Sequence, residues 1–286
     1  MDKRDSFILT LSCPDRLGIV HAVTGFLAEH GCNIVDSQQF GDRDTGRFFM
    51  RVEFEGTDPA YDVTRLRETF GSLGEAFAMD WQIDDDKVRP RIIVMVSQQG
   101  HCLNDLLYRS RVGALPGDIA CIVSNHPDFE ALAASYDVPY HYVPVTPQTR
   151  DAAEHRLLEL VAQHDAQLVV LARYMQILSD VVCSRLPGRI INIHHSFLPS
   201  FKGARPYHQA HDRGVKLIGA TAHYVTANLD EGPIIEQEVA RVDHADDIDE
   251  LTSIGRDVEC QALARAVRWH LERRVLVDGH KTIVFR

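Results

Sequence analysis

Long apolar runs are missing from this 286-residue chain. Stretches such as "LVVLA" at 168–172 fall far short of the roughly 20 residues that cross a bilayer, so no membrane partner is expected. The opening "MDKRDSFILTL" lacks an extended apolar core and a small-residue cleavage site, which argues against a secretory signal. Paired cysteines are missing: the six, at 13, 32, 102, 121, 183 and 260, are widely scattered, with no CxxC and no metal-type spacing. Reduced thiols in a cytoplasmic compartment are therefore the expectation. Basic residues are outnumbered, 30 Lys and Arg against 41 Asp and Glu, for a net charge of −11. That balance disfavours nucleic acid as a partner but leaves room for an anionic small molecule at a local basic patch. Internal repeats and low-complexity tracts are also missing.

What is present suffices for two globular domains, with 45% hydrophobic residues. The first segment reads strand, helix, strand, strand, helix, strand, a ferredoxin-like βαββαβ order. "SFILTLSC" is rich in β formers. "GIVHAVTGFLAEHG" places Ile19, Val20, Val23, Phe26 and Leu27 at helical spacing and stops at Gly31. "CNIVDSQQF" and "RFFMRVEF" read as strands around a turn-rich "GDRDTG". "DVTRLRETFGSLGEAF" reads as a helix weakened by Gly71 and Gly74, and "AMDWQI" closes the unit as a strand. The charged, Pro-terminated "DDDKVRP" marks a boundary, giving domains at 1–85 and 86–286.

Beyond it, apolar strands alternate with helical patterns: "RIIVMVS", "DIACIVS", "YHYVPVT", "AQLVVLARY" and "RIINIHHS" are each separated by an amphipathic stretch. Strands apolar on both faces, alternating with helices, predict a Rossmann-like α/β domain around a mainly parallel sheet. "KLIGATAHYVT" and "PIIEQEVARV" are further strands. A long helix is expected near 247–274 with Ile248, Leu251, Ile254, Val258, Leu263 and Val267 inward. The tail reads as a hairpin around Asp278 and Gly279.

The chemistry concentrates at "INIHHSFLPS". Ligands of open α/β sheets sit beyond the carboxyl ends of strands. If this strand continues, Asn192, His194 and Ser196 share one face and His195 takes the other. A side-chain amide and an imidazolium converging on a carbonyl oxygen would stabilise an oxyanion. A nearby carboxylate would orient the imidazole, and Asp230 in "HYVTANLDEGPIIEQ" is the candidate. The same residues also suit plainer roles, Asn192 and His194 satisfying buried backbone groups and Asp230 shaping a turn. Ser196 lacks the G-x-S-x-G setting of a strained nucleophile and reads as a loop-fixing residue.

"INIHHSFLPSFKGARPYHQA", followed by "GATAHYVTANLDEGPIIEQ", resembles the formyltetrahydrofolate-using formyltransferase family over roughly residues 90–286. The resemblance implies a Rossmann-like formyltransferase fold, a folate as the small-molecule substrate, and Asn192, His194 and Asp230 as the catalytic set. It implies a pterin seat formed largely by backbone at Met175, Gln176 and Leu178 in "LARYMQILS", with Val225, Thr226 and Ala227 as the facing wall. Many members have Arg where Gln176 stands, so a side-chain contact there is not carried over. Lys202, Arg205, Arg213 and Lys216 form a basic region suited to a folate glutamate tail, although Arg213 and Lys216 also read as solvated surface charge.

The acceptor follows from what the family's transferases have and this chain lacks. Their phosphate-holding members open the domain with a Gly- and Ser-rich loop; here "MVSQQGHCLNDL" offers Gly100 alone among Gln98, Gln99 and His101. Their tRNA-modifying members carry an extra C-terminal domain that a short hairpin replaces here. Water is left as the acceptor, and "HHSFLP" and "SQQGHCLNDLLYR" fit the hydrolytic members. With water as acceptor, His194, oriented by Asp230, is expected to work either as a base on water or as an imidazolium donor to the oxyanion. No cofactor is required beyond the folate substrate, and no metal: His208 and His211 in "PYHQAH" read as solvated histidines, since no three-ligand zinc pattern stands out.

"LSCPDRLGIVHAVTGFLAEHGCNIVDSQQ" resembles an ACT domain, which implies pairing with another copy into a homo-oligomer and an amino-acid effector. Gly18, where a loop meets a helix N-terminus, can present backbone N–H groups to a carboxylate. Asp15, Gly18, Cys32 and Asn33 are the expected frame of that pocket. The alternative is a purely dimerising unit in which Gly18 serves packing and Asn33 a turn.

Overall fold

A computed structural model of the chain describes residues 6–56, 63–198 and 206–286. Its contacts divide into two compact units, Met1–Arg89 with Arg273–Asp278 and Ile283–Arg286, and Pro90–Glu272 with Gly279–Thr282.

The first unit runs β1 (Ser6–Pro14), α1 (Ile19–Glu29), β2 (Cys32–Asp42), β3 (Arg47–Gly56), α2 (Val63–Phe77) and β4 (Asp80–Asp85). The strands form an antiparallel sheet in the order β2-β3-β1-β4. Ile19, Val23 and Leu27, one turn apart on α1, are buried against Leu9, Leu11, Met50 and Val52, while Val20 stays exposed. The two glycines that weaken α2 are not equivalent. A Cβ on Gly74 would meet the Trp81 indole at 2.2 Å, so this glycine admits the ring, whereas Gly71 faces open space.

The second unit continues β5 (Arg91–Val96), α3 (His101–Arg111), β6 (Asp118–Ser124), α4 (Glu130–Ser135), β7 (Tyr140–Tyr142), α5 (Arg150–Gln163), β8 (Leu168–Leu171), α6 (Asp180–Arg185), β9 (Ile190–His194), α7 (Pro206–Asp212), β10 (Leu217–Tyr224), β11 (Ile234–Arg241) and α8 (Ile248–Leu271). Its sheet has the order β11-β10-β9-β8-β5-β6-β7. Strands β5 to β9 pair in parallel, and β10 and β11 extend the sheet antiparallel. Val169, Val170, Ile190 and Ile191 are each at most 1% exposed, which is why these strands read as unbroken apolar runs. Helix α8 starts at a capping box: the Asp247 carboxylate accepts from the N–H groups of Asp249 and Glu250, and Glu250 accepts from the Asp247 N–H. Leu251, Val258, Leu263 and Val267 bury its inner stripe, and Ile248 and Ile254 sit half-buried. The tail is the hairpin β12 (Val275–Asp278) and β13 (Lys281–Val284), turned at Gly279 with φ 59°.

Strand β9 ends at His194 rather than running on to Ser196. The alternation of faces therefore stops there, and His195 lines the same cavity as His194 instead of turning to the opposite face. The expected effector frame of Asp15, Gly18, Cys32 and Asn33 is not assembled within one chain either. Within one chain, Asp15 donates its N–H to the Gly46 carbonyl beside the Arg47 end of β3, with Gly18 three residues on at the start of α1, while Cys32 and Asn33 pair with Gly56 and Glu55 at the other end of β3. A ten-residue strand at ~3.3 Å per residue separates the two pairs by roughly 30 Å, so the four do not form one pocket in a single chain.

Candidate active site

Parallel strands β8 and β9 end side by side, Leu171 opposite Asn192. The segment after β8 and the loop after β10 form the two banks of a cavity of about 330 Å³. Asn192, His194 and Asp230 all line it, together with Met175, Gln176, Leu178, Val225, Thr226 and Ala227. Leu178 is buried, Met175 is exposed, and the Met175 N–H is taken by Ser97 Oγ at 2.9 Å, which leaves its carbonyl. Lys202 and Arg205 lie outside the described residues. Arg213, Lys216, His208 and His211 are exposed.

Asp230 reaches the strand end because its loop folds back on β10. Tyr224 donates its N–H to the Pro233 carbonyl at 2.9 Å. A Cβ on Gly232 would sit 1.8 Å from the Tyr224 oxygen, so only glycine permits the close pass. Asp230 itself adopts φ 57°, a left-handed conformation that aspartate tolerates better than bulkier residues. Its Oδ1 comes within 3.4 Å of His194 Nδ1 and 3.7 Å of His223 Nε2. The hydrogen bond to His194 pulls the Asp230 carboxyl below its ordinary value, against the opposing effect of burial. The carboxylate is therefore charged at neutral pH and holds the Nδ1 edge of the ring. The other edge, Nε2, is buried and without a hydrogen-bond partner among the described residues.

Sequence reasoning gave no role to His223, which is 2% exposed and sits directly across from Asn192 in the β9–β10 pair. Its Nδ1 lies 2.9 Å from the Tyr224 carbonyl, an acceptor only, so Nδ1 carries the proton. Burial lowers its pKa, so the ring is neutral and Nε2 offers a lone pair. Asn192 Nδ2, 3.2 Å away, must then be the donor, which fixes the amide orientation and leaves its second N–H for a ligand. The available signal was the antiparallel pairing of "INIHH" with "TAHYV", which no single strand reveals.

A buried polar network backs the cavity and was equally hidden. Arg173, with φ 65° and 7% exposed, donates from Nε and Nη2 to Gln99 Oε1 at 3.0 and 2.8 Å. Its Nε lies 3.4 Å from Glu259, whose carboxylate also accepts from His101 and Tyr207 at 2.7 Å each. These partners hold the Glu259 carboxyl below its ordinary value despite 1% exposure. Burial first, and Arg173 second, push the His195 pKa down to about 4.

An open α/β sheet whose strand end carries an amide and an imidazole, met by a loop carboxylate, defines a formyl transferase domain, and residues 90–267 match the formyl transferase family model. Residues 7–69 match the ACT domain model. The chain belongs to the formyltetrahydrofolate deformylase family. It is 50% identical over the full length of both chains to the formyltetrahydrofolate deformylase of Corynebacterium sp. (strain P-1). It is 42% identical to that of Escherichia coli K12, covering 97% of each chain. Among solved structures, the formyltetrahydrofolate deformylase of Pseudomonas syringae pv. tomato superposes with a TM-score of 0.97 at 49% identity, covering 100% of this chain and 96% of that one. A glycinamide ribonucleotide transformylase from Symbiobacterium toebii superposes on 69% of this chain and 95% of its own, with a TM-score of 0.64 at 32% identity.

Proposed function

We propose that this chain hydrolyses 10-formyltetrahydrofolate to formate and tetrahydrofolate, with Asn192, His194 and Asp230 as the catalytic residues. The observation that carries the reading is that one cavity gathers a fixed amide donor, an imidazole with a free buried Nε2, and a charged carboxylate on the ring's other edge. The pterin is held between Met175, Gln176 and Leu178 on one bank and Val225, Thr226 and Ala227 on the other. Water attacks the formyl carbon, and His194 Nε2 takes its proton while Asp230 supports the resulting imidazolium. The free N–H of Asn192 donates to the developing oxyanion, a contact worth about 10²–10³-fold in rate. The proton then passes to N10, the C–N bond breaks, and formic acid leaves, losing its own proton to solvent as formate. Every step uses the chain's own side chains.

Water as the acceptor is supported by the loop that would otherwise hold a phosphate. Gly100 leaves space that the Phe129 ring occupies, since a Cβ there would meet it at 2.4 Å, and Gln99 is tied to Arg173. The N-terminal unit is proposed to pair chains into a homo-oligomer and to read a small amino acid. No disulfide joins the described cysteines, which suits a cytoplasmic enzyme. The test is to incubate pure protein with 10-formyltetrahydrofolate alone, then with a panel of amino acids. Formate release without any amine is expected; release only on adding an amine would make the chain a transferase.

A further inference from the structure

Three side chains outside this cavity form a second constellation. Cys121 on β6 and His141 on β7 share one face of the sheet, because His141 pairs with Val123, two residues beyond Cys121. Helix α5 crosses that face with Leu157, Leu160 and Val161 buried, and His164 follows at its C-terminus. One ligand atom from each of Cys121, His141 and His164 lies within 4.8 Å of the other two. The Nε2 atoms of both imidazoles are buried and have no hydrogen-bond partner among the described residues. Buried ring nitrogens are normally satisfied, so two unsatisfied ones side by side call for a missing partner.

We propose that Cys121, His141 and His164 bind one thiophilic divalent metal ion, with zinc as the fitting species and water as the fourth ligand. One thiolate and two neutral imidazoles form a donor set that zinc accepts in tetrahedral geometry. The ring centroids stand 6.2 Å apart. Zn–N bonds of about 2.0–2.1 Å at a tetrahedral angle would bring them to roughly 5 Å, so binding draws the rings together by about an ångström. The neighbouring charges are Arg91 and Arg156. Both favour the Cys121 thiolate, although burial pushes that thiol up to about 11, and binding must displace its proton. Arg91 Nη2 donates to His164 Nδ1 at 3.3 Å. When His164 Nε2 becomes a ligand, its proton moves to Nδ1 and the exposed Arg91 turns out to solvent. His141 is held neutral by burial, by Arg156 and by His164, as a ligand must be. None of the three residues lines the cavity around His194, so the ion braces β6, β7 and α5 rather than serving the reaction.

The test uses full-length protein stripped with a chelator and titrated with Co²⁺, whose thiolate complexes absorb by charge transfer in the near ultraviolet. One equivalent should develop that band, and one equivalent of Zn²⁺ should abolish it. Cys121→Ser should remove the band with the far-ultraviolet circular dichroism unchanged. Because Cys121 is a core residue, His141→Gln and His164→Gln, at half-buried positions, give a second reading. Each should weaken affinity by at least the roughly 10–100-fold that loss of an outer-sphere partner costs. Absence of the band at one equivalent overturns the proposal, as does full affinity in either histidine variant. A band that survives Cys121→Ser would also overturn it and point to the His101, Cys102 and Glu259 group instead.

Discussion

His194 Nδ1 stands 3.4 Å from Asp230 Oδ1, although one residue ends a parallel strand and the other rides a loop beyond the next strand. That contact orients the imidazole so that Nε2 is the edge left for chemistry. Asp230→Asn keeps the shape but removes the charge that fixes the tautomer. We expect kcat to fall by roughly 10²–10⁴-fold, the range of general acid–base catalysis, with KM nearly unchanged. Steady-state kinetics on the purified variant decides it, and a kcat within twofold of the parent would remove Asp230 from the site.

His223 lines the same cavity and accepts from the Asn192 amide at 3.2 Å, and we propose that it positions that amide. His223→Leu removes the acceptor that orients the amide, and we expect kcat to drop at least tenfold while the fold persists. His223→Gln can offer an oxygen acceptor in place of Nε2 and should recover part of the loss. Equal activity in both variants and the parent would show that the 3.2 Å contact has no positioning role.

Gly232 governs the approach of the whole loop. In Gly232→Ala the new methyl would fall 1.8 Å from the Tyr224 oxygen, a backbone atom that cannot give way cheaply. The loop must shift, carrying Asp230 off His194. Overpacking of this kind costs about 1–3 kcal/mol. Urea denaturation should show a loss of that order together with a fall in turnover; unchanged values for both would contradict the loop account.

His195 makes stability depend on acid. Its pKa near 4 lies below the ordinary value of 6.5, so between those values the unfolded chain binds a proton that the folded chain refuses. Stability therefore falls as pH drops from about 6.5 towards 4, by at most about 3 kcal/mol. His223, also lowered by burial, adds in the same direction. His195→Asn should flatten part of this acid limb in denaturation curves taken across pH. An identical limb in that variant would locate the effect elsewhere.

The parts of this fold that were legible in the sequence are those with local causes. Alternating apolar strands and helices, the stop at Gly31 and the turn at Gly279 each follow from a few neighbouring residues. Asn192, His194 and Asp230 stood out through a specific motif pair. What could not be read depends on contacts between distant segments. Glu259 looks like one more acid on an amphipathic helix, yet it is buried against Arg173, His101 and Tyr207. Alternation puts His195 on the opposite face only if the strand continues, and a strand's end is set by tertiary context, here the bend that follows His194. The frame of Asp15, Gly18, Cys32 and Asn33 joined residues that one helix and the length of a strand keep apart.

The central claim is that His194 carries the chemistry while the pterin seat is built independently of it. Comparing tetrahydrofolate affinity and single-turnover formate release in His194→Ala tests it most directly. The account predicts a Kd within about threefold of the parent and a hydrolysis rate lower by at least the ~10²-fold floor of general acid–base catalysis. Hydrolysis at the parental rate would contradict it.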